Sequence, residues 1–212
     1  MERNVSRALS EVPTPCYVID EKRLRENGEI LKGVQERTGC RILLAQKAFS
    51  NYDLYPLLSG YLAGTEASGL YEARLGREEM PEKECHVFCG AYRQEEFQEI
   101  LKYADHIVFN SPSQLQRYGK LAKEAGKSIG LRINPECSTQ EGHAIYDPCA
   151  PGSRLGVTKE NFEKGIIGKT ELLPMLDGLH FHTLCEQDSD DLEKTLDAVE
   201  EKFGKYLSGM KW

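Results

Sequence analysis

The chain has 212 residues, 40% of them hydrophobic and 29% charged, an ordinary globular composition with length enough for one sizeable core. A net charge of −7 and the lack of any Lys/Arg run argue against a nucleic-acid surface. No apolar stretch approaches the roughly 18 residues of a membrane span. The opening Met1–Arg7 leads into no secretory apolar core. The seven scattered cysteines, odd in number, suit a reduced, cytoplasmic setting rather than a disulfide framework.

Candidate strands follow in chain order at Cys16–Ile19, Ile42–Ala45, Tyr61–Ala63, Cys85–Cys89, His106–Phe109, Ile129–Ile133 and Leu179–Leu184. Helical stretches lie between most of them. Asp20 N-caps the first, which carries Ile30, Leu31 and Val34 at helical spacing. Another opens at Ser113 after a Ser-Pro turn and stops at Gly126. A third runs from Asp188 to Leu207, with Asp190 and Asp191 placed to complement the helix dipole. From Leu43 to Leu131 the strand centres recur roughly every 20 to 24 residues, the length of a compact β-plus-α unit. The longer gap from Glu136 to Thr170 carries the loop Asp147–Gly152. Repeated βα units without a G-x-G-x-x-G predict an α/β fold of the TIM-type (β/α)8 kind rather than a dinucleotide fold. About six barrel strands can be counted where closure takes eight, and Ser208–Trp212 reads as the approach to another.

Lys47 stands where the apolar run Arg41–Ser50 gives out, at the carboxyl end of a short apolar strand. Ligands collect at that end in α/β folds, and a partly desolvated lysine there can form a Schiff base with a carbonyl compound. The plain alternative is a strand-end lysine pointing into solvent. Strand parity gathers further candidates. If Ile129, Leu131, Ile133, Leu179 and Phe181 face the helices, then Lys47, Glu66, Ser68, Asn110, Arg132, Asn134, His180 and His182 converge on the mouth of the barrel. Two cations, a carboxylate and imidazoles suit an anionic ligand with a reactive carbonyl. For His180 and His182, ring stacking, metal binding as in H-x-H hydrolases and plain structural roles carry equal weight. Cys85 and Cys89 share a strand face with Val87, so buried packing outweighs a zinc reading with His86. Glu66 is otherwise a solvated strand-end acid, and Ser153 and Arg154 are either loop residues or site residues.

Several segments together carry a resemblance. They are Thr14–Asp20, Ala45-Gln-Lys-Ala-Phe49, Gly64-Thr-Glu-Ala-Ser-Gly69, Phe109-Asn-Ser-Pro112, Leu131-Arg-Ile-Asn-Pro135, Tyr146–Gly156 and Gly178-Leu-His-Phe-His-Thr-Leu-Cys-Glu186. Over essentially its whole length the chain resembles the fold-type III decarboxylases dependent on pyridoxal 5′-phosphate (PLP), the alanine-racemase-like family. The similarity is greatest to the branch that acts on carboxylated triamines. It implies that Lys47 is the Schiff-base lysine, that His182 stacks on the cofactor ring, and that Glu66 and Arg132 belong to the polar network beside it. Cys185 falls where relatives place a serine near the cofactor phosphate, and a thiol is the weaker donor. Ser68, Asn110, Ser153, Arg154 and His180 are possible accessory residues, and no metal is implied. The substrate would be carboxynorspermidine or carboxyspermidine, and the product norspermidine or spermidine. The setting would be a cytoplasmic homodimer, with no nucleic acid and no membrane.

The resemblance also implies parts that this sequence lacks: a glycine-rich phosphate loop, the acid that pairs with the pyridine nitrogen, and a partner subunit's contribution. Residues 1–20 would then hold the N-terminal strand of an otherwise missing β-domain, and residues 21–212 an incomplete PLP-binding barrel. The alternatives to a PLP-dependent decarboxylase are an inactive truncated remnant of one and a metal-dependent barrel hydrolase built on His180 and His182.

Overall fold

The computed structural model describes residues 9–140 and 147–212. The chain's first residues, read above for a signal, and Tyr146 of the loop motif lie outside that range. Six strands, β1 (Leu43–Ala45), β2 (Gly64–Ala67), β3 (Glu84–Phe88), β4 (His106–Phe109), β5 (Ser128–Arg132) and β6 (Gly178–His180), form one parallel sheet in chain order. Helices α1 (Glu21–Thr38), α2 (Tyr55–Leu58), α3 (Leu70–Glu79), α4 (Gln94–Tyr103), α5 (Pro112–Glu124), α6 (Lys159–Phe162) and α7 (Ser189–Leu207) connect and cover it. A flat sheet of six strands would hold its first and last about 24 Å apart. Yet Lys47, just past β1, and His182, just past β6, line one cavity of about 280 Å³. The sheet is therefore bent round on itself as part of a TIM-type barrel.

The helices begin and end where their capping chemistry dictates. Asp20 accepts the Arg23 N–H at 3.2 Å at the start of α1, and Gly39, at φ 74°, closes it. Ser111 Oγ accepts the Gln114 N–H at 3.2 Å, Pro112 opens α5, and Gly126 at φ 72° turns the chain toward β5. The helix-facing side of the sheet supplies Ala67, Cys85, Val87, Ile107, Phe109, Ile129, Leu131 and Ile133, all at most 1% exposed, to one core with Phe97, Leu115, Phe162 and Phe203. Cys85 is a packing residue here, its Sγ 3.7 Å from the Ala73 carbonyl of α3. A smaller cluster of Tyr55, Leu58, Leu62 and Met80 lies beside β1.

Three expectations need correction. Tyr61–Ala63 is not a strand. Tyr61 and Leu62 pack in the smaller cluster, and the ladder starts at Gly64, whose hydrogen-bonded neighbours run on into Thr65 and Glu66. On α1, Ile30 is 65% and Leu31 38% exposed, so only the side bearing Gly28 is buried; Gly28 lets Tyr61 approach to within contact. Cys16–Ile19 forms no strand, because it finds no ladder partner among the described residues, and Tyr17 is fully exposed. In the long gap after Glu136, Asp147–Gly152 is a loop as expected, and α6 and a π-helical turn at Glu163–Ile167 follow it. The expected approach to a further strand is present. Lys211 N–H donates to the Asp177 carbonyl and the Trp212 carbonyl accepts the Leu179 N–H, so the last residues run beside β6.

Asp177 ties this edge together. Its carboxylate accepts the Ile129 N–H at 2.9 Å and pairs with Lys123 at 2.5 Å and Lys211 at 2.9 Å. Burial alone would raise its pKa, but the bonds from Lys123, Ile129 and Lys211 outweigh that and hold it at about 2. A depressed folded-state pKa gives stability that is complete above the ordinary aspartate range and is lost as pH falls through the folded value. Asp177→Asn is expected to lower the unfolding free energy by about 2 kcal/mol at pH 7. The gap to the parent, measured by urea titration, should shrink as pH falls from about 4 toward 2. A gap that stayed constant over that interval would refute the linkage.

Candidate active site

The turn after β1 presents Lys47. Gln46, 1% exposed, donates from Nε2 to the Glu72 carbonyl at 2.9 Å and accepts from the Tyr55 hydroxyl at 3.2 Å. Its N–H bonds the Glu66 carbonyl at 3.2 Å, and Ala48 and Phe49 both donate to the Ala45 carbonyl. With Gln46 locked on the helix side, Lys47 must face the barrel mouth. The lysine is exposed, not desolvated as its strand-end position suggested, because the mouth opens directly above it.

Arg132, at the end of β5, points into the same cavity and is 4% exposed. Its Nη2 donates to the His182 carbonyl at 3.0 Å, and its guanidinium lies 4.8 Å from the centre of the Phe88 ring. No carboxylate pairs with it among the described residues. Burial lowers its pKa, an effect opposed only by the distant Cys149 thiol. A buried cation without a counter-ion is costly, so the arrangement anticipates an anion. Phe88 completes the floor by stacking on His180, with ring centroids 5.1 Å apart. Pro148, Leu155, His182, Leu184 and Cys185 form the remaining wall.

Both histidines are neutral imidazoles near pH 7. Burial, then the charges of Arg132, His182 and Lys47, bring His180 down to about 3, and burial followed by the charges of Lys47 and Arg132 lowers His182. Glu66 shifts the other way. Burial raises its pKa, Glu72 adds to that, and Lys47 opposes it. These mutual shifts place Lys47, Glu66, Arg132 and the two histidines in one electrostatic neighbourhood.

The rest of the expected convergence does not occur. Ser68 lies on the turn into α3, exposed, with its N–H on the Glu72 carboxylate at 2.6 Å. Asn110 spends its amide on the Arg154 carbonyl and the Gly156 N–H, at 2.9 and 2.8 Å. Asn134 likewise holds the Glu136 N–H at 2.8 Å. His180 sits below the cavity, its Nδ1 buried and without a partner. Arg154 lines a neighbouring cavity of about 450 Å³ with Asn110 and Ser111, and Ser153 Oγ accepts the Leu155 N–H at 3.2 Å. Loop 147–156 is thus bracketed by asparagines that parity had assigned to the ligand. Phe88, Pro148, Leu155 and Leu184 are the wall residues that sequence reasoning missed. Phe88 was legible, since Cys85 and Val87 claim the helix-facing side of β3 and leave Phe88 inside. No third metal-ligating residue joins His180 and His182 among the described residues.

No family model matches the chain. It is 39% identical over 202 residues to carboxynorspermidine/carboxyspermidine decarboxylase of Campylobacter jejuni, covering 95% of this chain and 50% of the relative. In three dimensions it superposes on the carboxynorspermidine decarboxylase from Campylobacter jejuni complexed with norspermidine, with a TM-score of 0.83 and 38% identity, over 95% of this chain and 49% of that one. The chain is homologous to about half of a carboxynorspermidine decarboxylase. Carboxyaminopropylagmatine decarboxylase of Synechocystis is also 40% identical over 208 residues, covering 96% of this chain and 51% of the relative. Diaminopimelate decarboxylase from Helicobacter pylori, 19% identical, shares the fold at a TM-score of 0.76 over 97% of this chain and 53% of that one. The chain spans about half the length of the relatives it matches.

The unpaired guanidinium makes a direct expectation. Arg132→Met, which removes a buried charge and keeps much of the side chain's volume, should raise stability in anion-free buffer by about 1 kcal/mol. It should also abolish the thermal stabilisation that inorganic phosphate gives the parent. Differential scanning calorimetry with and without phosphate checks both; a variant less stable than the parent in anion-free buffer would show that Arg132 is not waiting for a counter-ion.

Proposed function

We propose that this chain carries the Lys47 half of a PLP-dependent carboxy-lyase, which decarboxylates carboxynorspermidine or carboxyspermidine to norspermidine or spermidine. The observation that carries the reading is the pairing, in one cavity, of a lysine at a strand end with a buried guanidinium that has no carboxylate partner. The donor set fits PLP. Lys47 would hold the aldehyde carbon covalently, the flat neutral imidazole of His182 would lie against the ring, Arg132 would offset negative charge, and Cys185 would stand near the phosphate. When bound, the cofactor supplies an electron sink for the pair left behind as the carboxylate departs as carbon dioxide.

The chain's own residues do the positioning. His182 is neutral because burial and the charges of Lys47 and Arg132 lower its pKa, so it contributes a flat face rather than a third positive charge. Phe88, Pro148, Leu155 and Leu184 give the wall an apolar character that strips water from a bound carboxylate. Glu66, with its pKa raised by burial, retains a proton more readily than a surface glutamate, which suits a hydrogen-bond donor beside Lys47. Lys47 would also be able to return a proton to the carbon that has lost its carboxylate.

The two relatives at similar identity act, by name, on substrates that differ at the far end, so carboxyaminopropylagmatine is the competing substrate to assay. As a biosynthetic decarboxylase whose seven cysteines are all unpaired, the protein would work in the cytoplasm. A homodimer completes the proposal.

Borohydride reduction in the presence of PLP should fix the cofactor on Lys47, found by peptide mapping, and Lys47→Ala should abolish the label. Labelling spread evenly over surface lysines would overturn the assignment. Carbon dioxide release from carboxynorspermidine by the full-length protein should fall by at least about 10³-fold in Lys47→Ala, since the nucleophile itself is removed.

A further inference from the structure

A second cluster of chemistry-bearing side chains lies inside the barrel at the opposite end of the strands from Lys47. Glu84 opens β3, His86 follows on the same inward face, and His106 opens β4. His86 and His106 are register partners across the ladder. Their rings stack with centroids 3.9 Å apart and planes 16° from parallel. His86 Nε2 lies 3.1 Å from Glu84 Oε2, and His106 Nε2 lies 3.9 Å from Glu84 Oε1. One ligand atom from each residue falls within 4.8 Å of the other two. The side chains are 23%, 21% and 18% exposed in the order Glu84, His86, His106.

The hydrogen bonding here is incomplete. His106 Nδ1 is buried without a partner, and its Nε2 is too far from Glu84 for a hydrogen bond. A largely buried imidazole whose Nδ1 finds no partner among the described residues and whose Nε2 makes no hydrogen bond to Glu84 asks for an ion or a water that has yet to be assigned. Two imidazoles and a carboxylate are the donor set of zinc and its neighbours in the first transition row. Burial lowers the pKa of both histidines, which keeps their nitrogen lone pairs free at neutral pH. Arg41 occupies one carboxylate oxygen, Oε1 at 2.9 Å, and leaves Oε2 on the side of His86. A metal held at about 2.0–2.1 Å from each ligand needs the three atoms to draw in by roughly an ångström, which rotation of the imidazoles supplies.

We propose that Glu84, His86 and His106 form a binding site for a divalent transition metal of the zinc class, tying β3 to β4 inside the barrel. The site is separate from the Lys47 cavity and stands whether or not the decarboxylase reading does.

Trp212, the chain's single tryptophan, reports on it directly, its ring 5.5 Å from His106 and 6.3 Å from His86. Titration of the purified full chain with Co(II) should quench its fluorescence saturably at one equivalent. Zn(II), which does not quench, should restore the emission by displacement and raise the melting temperature. Glu84→Gln and His106→Gln should each weaken Co(II) binding at least about tenfold, while His182→Ala leaves it unchanged. Circular dichroism separates lost binding from lost folding. Should the variants unfold, the parent's stoichiometry, zinc displacement and melting shift decide alone. Quenching that never saturates, that zinc does not reverse, or that survives in folded His106→Gln overturns the proposal. So does loss of the signal in His182→Ala. Labelling of Lys47 by PLP is read independently, so failure here leaves the proposed decarboxylation standing.

Discussion

Each strand of a parallel sheet has two faces, and the helices of a βα repeat claim one of them. Everything else in this structure depends on that division. The helix-facing residues, from Ala67 through Val87, Ile107 and Ile129 to Ile133, make one continuous apolar layer. The other face is turned inward by the bend of the sheet, and it is polar at both ends. At the carboxyl ends stand Lys47, Glu66, Arg132 and His182; at the amino ends stand Glu84, His86, His106 and Ser128. A polar group buried on this face has no helix to pack on, so it must find a partner in the interior or await a ligand.

The two ends meet that demand differently. At the amino end the partners are local: Arg41 reaches Glu84, the imidazoles stack, and the Trp212 indole donates to Ser128 Oγ at 2.8 Å. At the carboxyl end two cations stand over a single carboxylate whose own pKa is raised by burial. Burial is the main reason that the histidines in between lose basicity, and the positive field there adds to it. The same cations that prepare the cavity for an anion thus help to keep the imidazoles neutral.

Much of this was legible in the sequence, because period-two alternation survives in β3, β4 and β5 and tells inside from outside. It placed Lys47, Arg132 and His182 on the mouth and Ile129 and Leu131 on the core. It failed where side chains serve the backbone. Asn110 faces the right way, yet its amide closes the loop around Leu155, a long-range role that no local spacing encodes, while Asn134 turns its side-chain oxygen to the Glu136 N–H two residues on. Tyr61 and Leu62 looked like a strand because they are apolar, but a contact with Gly28 of α1 and a small cluster beside β1 use them instead. The pairing of Glu84 with two histidines was hidden for another reason. Glu84 and His86 share β3, but His106 comes from β4, and register, not spacing, brings it to them.

Register also sets the depth of the candidate active site. Gly130 and Gly178 pair across β5 and β6, and a Cβ on either would lie 2.1 or 2.2 Å from the Trp212 indole. Only glycine lets that ring lie against the sheet, where it fills the interior below the cavity. One layer higher, Phe88 stacks on His180 and supports the Arg132 guanidinium. Aromatic rings thus fill the interior below the cavity, which lies at the carboxyl ends of the strands. A ligand admitted there meets Lys47 and Arg132 together. The glycines and aromatics beneath, which touch no ligand, are what keep those two cations at the mouth.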